Sequence, residues 1–219
     1  MVTVAPRYQF LQLLHETLQP RGYVEIGVQH GGSLALAKCS AVGIDPTPMV
    51  ITPLGSNHQV IVATSDHFFE QPYQFDVLPQ RIDLAFIDGM HLVEYALRDF
   101  INIEKKSHSA TVIVFDDVLP YNAMIATRHQ PPGDWTGDVW KLVEIMKTYR
   151  DDLRVVLVDT PPTGSLVVLG PDPTSTVFRD RYPDILRSYA HEMPVPVSII
   201  ERHDAVSQAT ALEIIKEYI

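Results

Sequence analysis

The residues best suited to chemistry begin with a short segment that combines an acid with widely spaced glycines. Glu25, Gly27, Gly31 and Ser33 form an E-x-G-x-x-x-G-x-S pattern that starts within the apolar stretch Tyr23–Ile26. Glycine lets the backbone turn tightly and approach a ligand without a clash at Cβ. Dinucleotide-binding turns need G-x-G-x-x-G instead, so that a pyrophosphate can reach a helix N-terminus. The spacing therefore favours an adenosine-containing cofactor that has no phosphate and carries a ribose and an amino-acid group.

Further polar positions follow the next two apolar stretches. Asp45 comes 20 residues after Glu25, and a carboxylate there can accept hydrogen bonds from both ribose hydroxyls. Ser65 and Asp66 follow the third apolar stretch. Acids and glycines in this order, each near the end of an expected strand, predict one cofactor site at the carboxyl edge of a parallel sheet.

A second group combines three carboxylates with an imidazole. Asp88 and His91 follow one apolar stretch, and Asp116 and Asp117 follow the next. If the two strands are neighbours, their ends lie about 5 Å apart. Clustered carboxylates repel one another unless protons or a cation neutralise them, and oxygen ligands suit Mg²⁺ or Mn²⁺. Three hypotheses stay open: a divalent-cation site, a metal-free site with His91 as general base, and acids that only brace turns.

The segment after the second acidic pair carries residues suited to contact with another substrate. It runs from Leu119 to Lys141 and contains two tryptophans and Arg128. A loop that follows a strand end in such a sheet overhangs the ligand crevice, and aromatic rings there can stack on a sugar or an aromatic ring. We predict that Trp135 and Arg128 contact the acceptor.

Hydrophobic patterning indicates which elements hold these residues. Apolar residues at helical spacing predict an opening helix over Arg7–Leu18. Apolar runs separated by helical patterns indicate a parallel sheet with helices on both faces. The predicted strands are Tyr23–Ile26, Ala41–Ile44, Gln59–Ala63, Ile82–Ile87, Thr111–Phe115, Arg154–Asp159 and Leu166–Leu169, and the other predicted helices are Ser33–Lys38, Leu92–Lys105, Val139–Tyr149, Arg181–His191 and Ala205–Tyr218. The last two strands are too close in sequence for a helical crossover, so they predict an antiparallel hairpin.

These motifs resemble those of the class I S-adenosylmethionine-dependent methyltransferases. The resemblance covers about residues 20–175 and includes Asp-Gly-Met-His at 88–91, Asp-Asp-Val-Leu-Pro at 116–120 and Trp-Thr-Gly-Asp-Val-Trp-Lys at 135–141. It implies an α/β, Rossmann-like, doubly wound sheet of seven strands, five of them parallel and followed by a terminal antiparallel hairpin. It also implies that Glu25 anchors the cofactor's ammonium group, and that Ser65 and Asp66 contact its adenine.

The acidic group is similar to the metal site of catechol and macrolide-sugar O-methyltransferases. The resemblance implies Asp88, Asp116 and Asp117 as ligands of Mg²⁺ or Mn²⁺, Asp88 also as a cofactor contact, and His91 and Asp116 as catalytic residues. The implied reaction is O-methylation of a small hydroxylated acceptor, such as a sugar or a natural product. A metal-independent methyltransferase with His91 as general base, a nicotinamide oxidoreductase and a non-catalytic cofactor-binding protein are the competing hypotheses.

Composition indicates the wider context. A chain of 219 residues predicts one domain, with a core at about 20–175 and a helical extension at about 176–219. The net charge of −10 argues against nucleic acid and anionic membranes as partners. The single cysteine excludes an internal disulfide, and we find neither a membrane span nor a signal peptide, so we expect a cytoplasmic protein. The C-terminal helix is expected either to contact a second copy in a homodimer or to cover the sheet.

Overall fold

The computed structural model describes residues 6–71 and 77–219. Its centre is a seven-stranded sheet in the order β3-β2-β1-β4-β5-β7-β6. The strands are β1 Gly22–Ile26, β2 Ser40–Asp45, β3 His58–Val62, β4 Leu84–Ile87, β5 Val112–Phe115, β6 Arg154–Val158 and β7 Ser165–Leu169. Strands β1 to β5 are parallel, whereas β7 is antiparallel to both β5 and β6. This confirms the predicted fold class, including the terminal hairpin.

The register of the sheet determines which residues meet at its carboxyl edge. Ile26 of β1 pairs with Ile87 of β4, and Ile87 pairs with Phe115 of β5. The residues that follow these three positions therefore leave the sheet side by side. This alignment places the glycine turn next to both acidic segments.

The helices cover both faces of the sheet. They are α1 Pro6–Leu18, α2 Ser65–Glu70, α3 Val93–Glu104, α4 Leu142–Tyr149, α5 Val177–Tyr189, α6 Val197–Ile200 and α7 Gln208–Tyr218, with 3₁₀ turns at Leu34–Leu36 and Val139–Lys141. Side chains alternate along each strand, so two apolar cores form. One core packs α2 to α6 against one face, and the other packs α1, the first 3₁₀ turn and α7 against the opposite face.

One predicted helix is much shorter than expected. The pattern at Ser33–Lys38 predicts a helix, but only the 3₁₀ turn Leu34–Leu36 forms, and the chain is extended again at Ala37. The turn after β1 occupies most of the connection to β2, and the Ser33 side chain is held by a hydrogen bond to Glu25. Too few residues remain for a full helix before Ser40.

The C-terminal helix covers the sheet of its own chain. Ala211 and Ile215 of α7 are fully buried in the second core, and α7 contacts both α1 and β6. The homodimer and the division of the chain into core and extension stay predictions. No helix in the described ranges is long and apolar enough to cross a membrane, and residues 1–5, which bear on the signal-peptide expectation, lie outside the described residues.

Candidate active site

A cavity of about 770 Å³ opens at the carboxyl ends of β1, β2, β4 and β5. Its size is in the usual range for sites that bind small molecules. The predicted site residues that line it are Gly27, Asp45, Ser65, Asp66, Asp88, His91, Asp116, Asp117 and Trp135. Four other predicted site residues, Glu25, Gly31, Ser33 and Arg128, are not among the lining residues. Each of these four has a different place in the structure.

The glycine turn brings backbone to the edge of the cavity. Gly27 has a φ of +91°, and a Cβ there would lie 1.9 Å from the carbonyl oxygen of Asp88. The turn can therefore approach the adjacent strand end only with glycine at this position. Gly31 also has a positive φ, +77°, and packs against Val50 rather than the cavity. Both glycines are thus required by the backbone, one of them directly at the site.

Asp45 holds the glycine turn in place. Its Oδ2 accepts hydrogen bonds from the backbone amides of Val28 and Gln29, both at 2.9 Å, and its Oδ1 accepts one from Thr47 at 2.7 Å. Ionised carboxylates have about four acceptor positions, so capacity remains for a ligand hydroxyl. The ribose contact of Asp45 stays a prediction, and the structure adds the support of the turn as a second role.

Glu25 lies beneath the cavity rather than in its wall. It is fully buried and accepts hydrogen bonds from the hydroxyls of Tyr23 at 2.6 Å and Ser33 at 2.7 Å. Burial raises the pKa of Glu25 to about 8, although these two hydrogen bonds favour its charged form. Any effect of Glu25 on a ligand in the cavity would therefore pass through Ser33 and the turn.

Ser65 and Asp66 begin α2, at the end of the cavity beyond β3. The carboxylate of Asp66 accepts two hydrogen bonds from the Arg98 guanidinium, at 2.6 and 2.8 Å. Asp99, one residue further along α3, is buried behind them, and its Oδ1 has no hydrogen-bond partner among the described residues. Burial raises the pKa of Asp99 to about 7, although a hydrogen bond from Ser65 favours the charged form. Sequence reasoning did not identify Asp99, because nothing local indicates which face of α3 meets α2.

The predicted acidic group meets at the centre of the cavity. The His91 ring lies between Asp117, with Nδ1 3.2 Å from Oδ2, and Asp88, with Nε2 3.6 Å from Oδ1. Asp88, His91 and Asp117 each offer one ligand atom, and these atoms lie within 4.8 Å of one another. Asp116 lines the same cavity but is outside this group of three. The group of three therefore contains His91 in place of Asp116 from the predicted set of Asp88, Asp116 and Asp117, and the metal site itself stays a prediction.

The acidic group carries more protons than isolated side chains would. Burial alone would lower the pKa of His91, but the neighbouring carboxylates of Asp88 and Asp117 raise it to about 9. Burial and the Asp88 charge raise the pKa of Asp117 to about 6. Burial, with the charges of Asp88 and Asp117, holds the pKa of Asp116 well above its usual range. The positive charges near these carboxylates do not neutralise their negative charges, and a bound cation would do so.

A loop that ends at Asp138 closes one side of this group. Trp135 stacks on the His91 ring with centroids 5.2 Å apart, and its carbonyl oxygen lies 2.7 Å from His91 Nδ1. Gly137 has a φ of +58°, and a Cβ there would lie 1.5 Å from the His91 carbonyl oxygen. The loop can pack on His91 only because this residue is glycine.

Arg128 supports this loop. Its guanidinium pairs with both carboxylate oxygens of Glu94, at 2.5 and 3.0 Å, and with Asp138 at 2.6 Å. All three side chains are largely buried. Arg128 is therefore occupied by partners within the protein, and its predicted acceptor contact receives no support from its position.

Some lining residues were not expected from the sequence. Arg7 and Tyr8 reach the cavity from α1, Tyr95 from α3, and Thr163 from the hairpin loop. The sequence predicted α1 only as a helix that packs on the sheet. No local pattern indicates that its first turn extends over the strand ends, so this placement follows from tertiary packing alone.

The strand order, the terminal hairpin and the cavity at the strand ends define the class I methyltransferase fold. Residues 24–118 match the family model of a methyltransferase domain. This part of the chain is therefore similar to a methyltransferase domain, and the fold agrees with the resemblance seen in the sequence.

Similar proteins agree with this class. An O-methyltransferase of Bacillus cereus, solved with S-adenosylhomocysteine, has a TM-score of 0.57 and 18% identity over 77% of this chain and 82% of that chain. The O-methyltransferase TomG of Streptomyces achromogenes, involved in tomaymycin synthesis and solved with S-adenosylmethionine, has a TM-score of 0.56 and 20% identity over 77% and 81%. An uncharacterised protein of Acanthamoeba polyphaga mimivirus is 34% identical over 116 residues, 45% of this chain. The match spans about half of that relative, 52% of its length.

Proposed function

We propose that this protein transfers the methyl group of S-adenosylmethionine to a hydroxyl oxygen of a small uncharged acceptor, with the help of a divalent cation. The observation that carries the proposal is the shared cavity. The glycine turn at Gly27, the carboxylate of Asp45 and the group of Asp88, His91 and Asp117 all line it. The residues proposed to bind the cofactor and those proposed to hold the cation are thus adjacent.

The cofactor assignment has two supports. The turn lacks the glycine spacing for a pyrophosphate, which disfavours a nicotinamide dinucleotide. The structures of similar fold from Bacillus cereus and Streptomyces achromogenes hold S-adenosylhomocysteine and S-adenosylmethionine. In this chain Asp45 would bind the ribose, while Ser65 and Asp66 would bind the adenine.

The donor set of the acidic group suits Mg²⁺ or Mn²⁺. Asp88 and Asp117 would supply carboxylate oxygens, and Asp116 lines the same cavity. His91 would supply a ring nitrogen as a ligand once the cation has displaced the proton from that nitrogen. A bound divalent cation lowers the pKa of a substrate hydroxyl and orients its oxygen. The protein's own tasks are then to align the acceptor with the methyl group and to exclude water, because a direct displacement needs close approach in line.

The charges of the cavity favour an uncharged acceptor. Its ionisable lining residues are the acids Asp45, Asp66, Asp88, Asp116, Asp117 and Asp134 and the bases Arg7 and His91. A phosphate or carboxylate on the acceptor would meet mainly like charge. Trp135, whose ring stacks on His91, also lines the cavity, and an aromatic side chain there suits contact with a sugar or another ring. We therefore favour a neutral polyhydroxylated molecule.

The metal-independent alternative has less support. It needs a neutral His91 to take the hydroxyl proton, yet the two flanking aspartates raise the pKa of His91 to about 9. At neutral pH the ring is then mainly protonated and cannot accept a proton.

Calorimetric titration tests both parts of the proposal. We expect one-to-one binding of S-adenosylhomocysteine, and none of NAD. Asp117→Asn and Asp116→Asn should retain this binding but weaken Mn²⁺ binding by at least about 10-fold, because each removes a carboxylate charge at the cation. Asp204→Asn, a change of the same chemistry at a side chain that is 73% exposed, is the control. Absence of S-adenosylhomocysteine binding would refute the methyltransferase, and Mn²⁺ binding that both variants retain would refute the cation site.

A further inference from the structure

Arg7 brings an uncompensated positive charge to the wall of the cavity. Its side chain is exposed and makes no hydrogen bond or ion pair with any residue in the described ranges, and its guanidinium carbon lies 4.6 Å from the centroid of the Tyr8 ring. Most other arginines that the structure describes near the site are paired, including Arg98 with Asp66 and Arg128 with Glu94. Arg7 is therefore available to a ligand.

Tyr8 fixes the position of Arg7 relative to the glycine turn. The ring of Tyr8 lies so close to the turn that a Cβ on Gly32 would be 3.2 Å from it. The Tyr8 hydroxyl also lies close enough to the Ser33 side chain to affect the pKa of Tyr8, and Ser33 donates a hydrogen bond to the buried Glu25. The first turn of α1 is thus attached to β1 through three side chains, and Arg7 lies on top of this connection.

The remaining charges of the cavity are unfavourable for an anion. Apart from Arg7 and two tyrosines, its ionisable lining residues are aspartates and His91, and His91 already lies between Asp88 and Asp117. The proposed cofactor nevertheless carries one carboxylate, on its amino-acid end. That carboxylate needs a cation or several donors once it leaves water.

We propose that Arg7 binds the carboxylate of the cofactor's amino-acid group, and that Tyr8, Ser33 and Glu25 position it. This inference rests on the proposed function. In this arrangement α1 binds the amino-acid end of the ligand through Arg7. The buried Glu25 contributes indirectly, because it holds Ser33 and so helps to position Arg7. The nucleoside end is bound independently, at Asp45 and α2.

A comparison of two ligands isolates this interaction. S-adenosylhomocysteine carries the carboxylate, whereas 5′-methylthioadenosine keeps the nucleoside and the thioether but has no amino-acid group. We expect Arg7→Ala to raise the Kd of S-adenosylhomocysteine by roughly 10- to 100-fold, the loss typical of a charged hydrogen bond. The Kd of 5′-methylthioadenosine should not change. Arg179→Ala, an arginine that is 61% exposed on α5, is the matched control and should change neither value.

A second variant tests the positioning residues. Tyr8→Phe keeps the ring beneath the guanidinium but removes the hydroxyl beside Ser33. We expect a smaller loss for S-adenosylhomocysteine than with Arg7→Ala, and again none for 5′-methylthioadenosine. A general distortion of the turn would instead weaken both ligands together.

Three outcomes would overturn the assignment. Equal weakening of both ligands in Arg7→Ala would mean that Arg7 only supports the fold. Unchanged binding of S-adenosylhomocysteine would mean that the carboxylate is held elsewhere. If the wild-type protein bound neither ligand, the proposed function itself would be refuted. This result is distinguishable from the other two because it is seen with the wild-type protein alone.

Discussion

At the scale of single residues, His15 has the least favourable surroundings for a polar group. It lies on α1, is only 7% exposed, and packs edge-on against Tyr23 with ring centroids 4.7 Å apart. Neither ring nitrogen has a hydrogen-bond partner among the described residues. Burial, together with the charges of His58 and Lys38, lowers the pKa of His15 to about 4. The folded protein therefore contains a neutral imidazole.

This histidine predicts a loss of stability in mild acid. Its folded pKa lies below the unfolded value of 6.5, so the unfolded state binds the extra proton first. The contribution of His15 to the free energy of unfolding is fully present above about pH 6.5 and declines as the pH falls towards 4. At roughly pH 5 the free energy of unfolding is lower by about 2 kcal/mol for this reason. His15→Leu should remove this decline. Urea unfolding of both proteins at about pH 7.5 and about pH 5 would measure the difference.

Other groups titrate in the same range, so the comparison must be between the two proteins. Burial raises the pKa of Glu25 and that of Asp99, and their contributions change in the opposite direction with pH. They are common to both proteins and cancel in the difference. A gap between wild type and His15→Leu that does not widen in acid would contradict the neutral buried His15.

Residue identities at the site were predictable where the chemistry is local. The acids at 88, 116 and 117 each follow a strand directly, so an expected strand order was enough to bring them together. The partners of Arg128, Glu94 and Asp138, come from different segments, so the sequence could not indicate these ion pairs, and the acceptor contact of Arg128 stays a prediction. The position of Arg7 at the cavity could not be expected either, since only packing decides where the first turn of α1 lies.

At the scale of elements, Asp138 connects three segments around the site. Its Oδ1 accepts a hydrogen bond from the backbone amide of Val93 at 2.8 Å and so caps α3 from a distant part of the chain. Its Oδ2 accepts from Arg128 and from Lys141, both at 2.6 Å. The loop over His91 is thereby fixed to α3. The carboxylate makes no capping hydrogen bond to the 3₁₀ turn that directly follows it.

Asp138→Ala is expected to cost about 3–5 kcal/mol of unfolding free energy, because it leaves the Lys141 ammonium, 1% exposed, without its anion. The double variant Asp138→Ala with Lys141→Met should be less destabilised than the sum of the single changes. Chemical denaturation of the four proteins gives this coupling energy.

The exposed pair of Lys147 and Asp204, whose nearest atoms are 3.9 Å apart, provides the control. Lys147→Ala should change stability by no more than about 0.5 kcal/mol. Strict additivity of Asp138→Ala and Lys141→Met would show that the two side chains do not depend on each other.

The element that differs most from expectation is the connection from β1 to β2. The sequence predicts a helix at Ser33–Lys38, but only the 3₁₀ turn Leu34–Leu36 forms. The hydrophobic pattern indicates which residues face the core but not how long the helical segment is. A single 3₁₀ turn buries Leu34 just as a full helix would. The length of this helical segment is therefore set by the number of residues between the glycine turn and β2, and not by the hydrophobic pattern.

At the scale of the whole molecule, one face of the sheet depends on α1 and α7. The short 3₁₀ turn covers little of this face, and α1 and α7 contact each other across it. Tyr218 of α7 also lies close to the hairpin, since a Cβ on Gly170 would be 2.2 Å from its hydroxyl oxygen. Stability should therefore respond strongly to changes in α7.

Ile215→Ala in α7 tests this dependence. The side chain is fully buried, so its truncation should cost about 2–5 kcal/mol through lost burial and the cavity left behind. Lys216→Ala, at the exposed neighbouring position, should cost no more than about 0.5 kcal/mol. Thermal and urea unfolding would compare the two. Equal small effects would mean that α7 does not contribute to the core of its own chain.

The contact between α1 and α7 also bears on how the chain acquires its structure during synthesis. A ribosome releases α1 and β1 first, with one side of Tyr23 and Phe10 still facing water, and supplies α7 only after every strand has emerged. Contacts between segments so far apart in sequence form slowly. Nascent chains truncated before Gln208 should therefore leave an apolar surface exposed to solvent. We expect such chains to remain bound to chaperones, whereas full-length chains should dissociate from them.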